Sequence, residues 1–205
     1  MKKKAFALFL ALALVVGGVV GGTVAWLTAK TDSVVNTFTV GDINIELTET
    51  WNTDANNDGY NDSWTAKAVP GVEYAKDPKV TVKAGSEACW LFVKISEEHN
   101  TMTVNGETVR IADFAIANGW TAVTGHAGYY YRAVTASADD QPFNVFTGKT
   151  GFENGYVTIN ENVTKGQITA ANQPTITITA AAVQQEGVSA TDAWGKLPAD
   201  FIASP

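Results

Sequence analysis

One short run carries the most specific chemical pattern in this sequence: Asp54-Ala55-Asn56-Asn57-Asp58-Gly59-Tyr60-Asn61-Asp62. Asp54, Asn56, Asp58 and Asp62 place oxygen-bearing side chains at the first, third, fifth and ninth positions of a calcium loop of the EF-hand type. Gly59 stands where such a loop turns sharply, and Tyr60 would offer its backbone carbonyl. A hard cation needs several oxygens converging after the chain has curled, and this spacing supplies them. The twelfth position holds Thr65 in place of a carboxylate, so one strong ligand is missing and the expected affinity is modest. The same letters also read as a solvated Asn/Asp/Gly hairpin tip between Trp51 and Trp64.

Other chemistry is harder to assemble. The two histidines, His99 and His126, are far apart in sequence, and only the first has neighbouring carboxylates, Glu97 and Glu98. Zinc hydrolases of the common kind need closely spaced ligands on one helix, as in HExxH, and no such run occurs. A nucleophile elbow GxSxG, a GxGxxG turn and a phosphate loop are also missing from the sequence, so no catalytic residue and no enzymatic activity is expected. Trp120 with Tyr129, Tyr130 and Tyr131 could form a sugar-binding platform. On a strand Tyr129 and Tyr131 share one face and Tyr130 takes the other, and packing is the commoner use of such rings. The single cysteine, Cys89, precedes Trp90, Leu91 and Phe92 and reads as a buried structural thiol.

Positioning elements follow from charge and pattern. Lys2, Lys3 and Lys4, the apolar run Ala5 to Val20, and then Gly21-Gly22-Thr23-Val24-Ala25 have the layout of a secretory signal peptide. Thr23 and Ala25 fit the −3 and −1 positions, which places cleavage between Ala25 and Trp26. An uncleaved anchor is the competing reading, opposed by Gly17, Gly18, Gly21 and Gly22 within the apolar run. The expected organisation is a signal peptide over 1–25, an N-terminal arm over 26–36 and one folded domain over 37–205. About 180 residues after the leader suit a single domain. With 21 acidic against 14 basic residues and a net charge of −7, the chain is a poor partner for nucleic acid. With one cysteine it cannot close an internal disulfide, so a secreted domain must rely on its core.

After the leader the pattern is that of strands. Val34, Phe38 and Val40 share a face; after Gly41-Asp42, Ile43, Ile45 and Leu47 alternate with Asn44, Glu46 and Thr48. Val80 and Val82 predict a strand with one buried face, and Cys89 to Ile95 predicts a central strand covered on both. Gly119 to Val123, Tyr129 to Val134, Phe143 to Phe146, Tyr156 to Ile159 and Thr175 to Ala182 complete the expected strands. Short helices are expected over Ile111 to Ala117 and over Ala190 to Leu197, the latter capped by Ser189 or Thr191. Many short strands divided by turns predict an all-β fold, a jelly-roll-like antiparallel β-sandwich with one or two short helices; an immunoglobulin-like sandwich is the alternative.

The Gly-Gly-Thr-x-Ala end of the leader, Trp26-Leu27-Thr28 and Asn36-Thr37-Phe38-Thr39-Val40-Gly41-Asp42 together resemble the TasA/camelysin family. Val69-Pro70-Gly71, Asp77-Pro78-Lys79-Val80-Thr81-Val82, Gly85 to Ile95 and Ile176 to Gln184 fit the same resemblance, which is looser between Asn100 and Gln173. The resemblance implies export by a Gram-positive bacterium, leader removal by a signal peptidase of the SipW type, and a jelly-roll subunit of biofilm-matrix fibres. It also implies that the arm, anchored by Trp26, Leu27, Val34 and Val35, adds as a strand to another copy, giving a head-to-tail fibre. Matrix polysaccharide is a second expected partner. A monomeric surface module that binds glycan or protein is the alternative function. A metalloprotease, as some camelysin relatives are described, finds no motif here.

Overall fold

The computed structural model describes residues 42–49, 67–164, 166–169 and 171–203. In chain order its strands begin with β1 (Ile45–Thr48), β2 (Glu73–Ala75), β3 (Lys79–Val82), β4 (Cys89–Glu98), β5 (Thr101–Val104) and β6 (Glu107–Arg110). They continue with β7 (Ala112–Asp113), β8 (Thr121–Ala122), β9 (Tyr129–Val134), β10 (Gln141–Asn144), β11 (Tyr156–Ile159) and β12 (Thr175–Gln184). Two helices follow, α1 (Ala190–Trp194) and α2 (Ala199–Ala203). The fold is all-β and every strand pairing is antiparallel.

β4 is the organising strand. Its sheet runs β12-β4-β9-β8, and two three-stranded sheets, β1-β3-β10 and β2-β11-β7, together with the hairpin β5-β6, make up the rest. Cys89, Leu91, Val93 and Ile95 alternate along β4 and enter one core with Val80 and Val82 of β3 and Val157 and Ile159 of β11. Phe92 points the other way into a second cluster with Ala181, Val183, Ala193, Leu197 and Phe201, which the helices cover. A strand buried on both faces reads as a continuous apolar run, and CWLFV does so. Cys89 is fully buried, and burial pushes its thiol up to about 11.

Several expectations are corrected. Ile111 to Ala117 is not a helix. Its backbone groups are taken up elsewhere: Ile111 N–H donates to Asn100 O at 2.9 Å, and Ala112 N–H donates to Asn100 Oδ1 at 2.7 Å. Ala112 also pairs with Ile159, and Ile116 bridges Phe146, so tertiary pairing overrides a weak helical preference. The expected strand Phe143 to Phe146 is shifted to Gln141–Asn144; past it Val145 N–H still keeps register with Pro78 O, and Phe146 forms an isolated bridge with Ile116. Pro142 is tolerated there because β10 is an edge strand. β3 is buried at Thr81 as well as at Val80 and Val82, so it does not have the single buried face expected. Leu47 is 38% exposed at the sheet edge although Ile45 packs on the core. Helix α1 stops at Trp194, short of Leu197, with Ser189 Oγ accepting from Asp192 N as its cap. α2, β2, β5, β6 and β7 were not expected.

Candidate functional site

The four-stranded sheet leaves β12 as an edge. The Ile95 N–H donates to Gly128 O at 2.8 Å, toward β9, and the Gln185 N–H donates to Ala88 O at 2.9 Å. These two bonds fix the alternation along the ladder. Thr175, Thr177, Thr179, Ala181 and Val183 exchange bonds with β4, while the N–H and C=O groups of Ile176, Ile178, Ala180, Ala182 and Gln184 point away from it. Among the described residues no segment pairs with that outer edge. β12 is 10 residues long and holds no charged residue and no proline. Long, uncharged edges offer a row of donors and acceptors to an added strand.

Two clefts flank the same strand. One, of about 380 Å³, lies at its start, lined by Lys67, Tyr74, Lys76, Thr175 and Ile176 among others. Beside it Lys76 Nζ donates to Glu49 Oε1 at 3.0 Å in a largely buried ion pair. The other cleft, of about 610 Å³, lies between β12 and α2, bordered by Thr179, Ala181 and Phe201. There Thr179 Oγ1 is buried without a hydrogen-bond partner. An edge strand with recesses on both sides has the shape that strand addition uses: main-chain bonds along the edge and pockets for alternate side chains.

The sites expected from sequence fall in three groups. The cleavage junction Ala25–Trp26, the arm anchors Leu27, Val34 and Val35, the strand expected over Val34 to Val40 and the calcium loop Asp54, Asn56, Asp58, Tyr60 and Asp62 lie outside the described residues. The histidines are described and serve different turns. His99 follows β4 with a positive φ of 52°, whereas His126 stacks on Trp194 at 3.9 Å between ring centroids. Among the described residues no group of three or more His, Cys, Asp or Glu is placed to hold a metal.

The aromatic group is described too, and each member is engaged within the domain. Tyr129 packs against Trp194 and Phe201, and its hydroxyl donates to Ile202 O at 2.9 Å. Tyr131 shares that face and meets Trp90 and Phe92. Tyr130 packs on the first core, and Trp120 Nε1 donates to Asn144 O at 2.8 Å.

Comparison with protein-family models, with curated proteins and with solved structures finds no match for this chain. The geometry defines an all-β domain whose long β12 edge has no paired strand among the described residues. The edge itself was visible as the alternating Thr175 to Ala182 run. Its position at the rim was not, because nothing local in a strand says which neighbours it acquires.

Proposed function

We propose that the protein is a secreted structural subunit of an extracellular or biofilm matrix, of the TasA/camelysin kind, built on a jelly-roll-like sandwich. Copies join head to tail when the arm of residues 26–36 in one copy adds as a strand to the β12 edge of the next. The observation that supports this reading is the outward-facing backbone of Ile176, Ile178, Ala180 and Ala182 on an uncharged edge. A head-to-tail contact does not close on itself, so it propagates into a filament. No catalytic role is proposed. Protein starting at Trp26 should form filaments visible by electron microscopy, and a version starting at Thr37 should stay monomeric. Equal behaviour of the two would remove the arm as the connector.

Calcium belongs to the same proposal, held by Asp54, Asn56, Asp58 and Asp62 with the carbonyl of Tyr60. Calcium at about millimolar concentration should raise the melting temperature of the wild type and not of Asp58→Ala. No rise in the wild type would reject the site.

A further inference from the structure

The chain has two arginines, and their surroundings differ in one respect. The guanidinium of Arg110 lies over Phe114, 4.2 Å from the ring centroid. Its Nη2 donates to Glu97 Oε1 at 2.7 Å, its Nε to Glu97 Oε2 at 2.9 Å, and Asp113 lies 3.6 Å from Nη1. Burial pulls this group down, but the bonds and charges of Glu97 and Asp113 outweigh it and hold the arginine above its ordinary range. The guanidinium of Arg132 is stacked in the same manner, 3.8 Å from the centroid of Phe143 and 5.3 Å from that of Trp120. Among the described residues no carboxylate pairs with it. Its Nε is buried without a partner, and none of its nitrogens forms an ion pair or hydrogen bond among the described residues. Burial alone acts on it and pulls it below the usual arginine range.

A half-buried cation without a counter-charge is costly to keep, and a native structure that keeps one calls for an explanation. The surroundings hold the side chain in readiness. Gly119, at a φ of +90°, passes so close that a Cβ there would lie 3.1 Å from Nη2. Two rings and a bare stretch of backbone therefore crowd a fork whose natural mate is a carboxylate. Arg110 shows the completed arrangement within one copy. At Arg132 no described residue supplies that element.

We propose that Arg132, stacked between Trp120 and Phe143, is a self-association contact that receives a carboxylate from a second copy of this chain. The chain has 21 acidic against 14 basic residues, so each copy brings carboxylates in excess of its own cations. Copies of like net charge repel at long range, so the contact is a local one, a single carboxylate side chain meeting one prepared fork. From the preceding reading the proposal takes only that copies associate.

The test is sedimentation velocity over a concentration series, on purified protein starting at Trp26. Arg132→Gln should raise the dissociation constant between copies by about thirtyfold or more, the scale for losing one member of a desolvated charge pair. Arg132→Lys keeps the charge but not the planar fork and should fall between the two. In the wild type alone, replacing chloride by acetate at equal ionic strength should loosen association by competition. Wild-type association that both variants match, or that acetate and chloride leave equal, overturns this proposal and leaves the strand-addition reading standing. A wild type that stays monomeric overturns both. Arg132-dependent binding of a glucuronate oligomer, with self-association unchanged, overturns it in favour of an acidic glycan.

Discussion

The two rims of the four-stranded sheet are managed in opposite ways. At one rim β8 contributes only 2 residues, and nearby Arg132 lies over the rings of Phe143 and Trp120. At the other, β12 presents 10 residues without a charge or a proline, and no described strand pairs with its outer side. Natural edges are usually blunted by shortness, charge or a covering element. The first rim is blunted by shortness; the second is long and uncharged. Among the described residues the two rims of the same sheet thus differ in length and in whether a short strand ends them.

The largest expected effect separates the rims directly. In Ala180→Pro the lost N–H is one that points away from β4, so the internal ladder stays intact while the receiving edge loses a donor. Filament formation should fail in electron micrographs. Ala122→Pro removes the corresponding outward N–H from β8 and should leave filaments unchanged, since Val123 N–H still reaches Tyr129 O. Loss of filaments in both would erase the distinction.

Next in size is the close approach of Gly119 to Arg132. Gly119→Ala puts a side chain at positive φ and against Nη2 of Arg132, and should cost about 1–3 kcal/mol in urea unfolding. Between the rims lies Cys89 of β4, whose raised thiol ties stability to alkaline pH. The neutral thiol is favoured in the fold, so its contribution is complete below about 9 and is lost as pH rises through about 11. Iodoacetamide should leave native protein unlabelled at pH 8, a value below both ionisations, and should label it on unfolding. The smallest effect is expected at Asp140, just before β10. Lys83, and then the Ala84 N–H, hold its carboxyl below the usual range, so its contribution is present near neutrality and lost as pH falls below about 4. Asp140→Asn should shift the urea midpoint only slightly at neutral pH, and the difference from wild type should vanish in acid.

Strands whose own residues state their burial were legible in the sequence. Cys89 to Ile95, Tyr129 to Val134, Tyr156 to Ile159 and Thr175 to Ala182 all proved to be strands, because alternation or a doubly apolar run is a local signal. Ile111 to Ala117 misled for the opposite reason. Its conformation is set by Asn100, a buried side chain whose amide donates to Ala112 O at 2.9 Å and to Glu97 Oε2 at 2.7 Å, and no local pattern announces that clip. β2 and β7 were missed because 3 and 2 residues are too few to show a period. At the candidate site the strand could be read but its rim position could not. Arg132 escaped notice altogether, since an isolated arginine in a strand looks like any solvated charge until Phe143 and Trp120 are seen around it.

The long antiparallel ladder between β4 and β12 has a mechanical consequence. A tug transmitted along β12 meets its rungs, from Thr175 opposite Glu98 to Gln184 opposite Cys89, in shear, so they bear load together and do not unzip one by one. A thread of such subunits, pulled end to end, should yield between copies before the individual domains tear open, and single-molecule stretching would reveal which joint gives first.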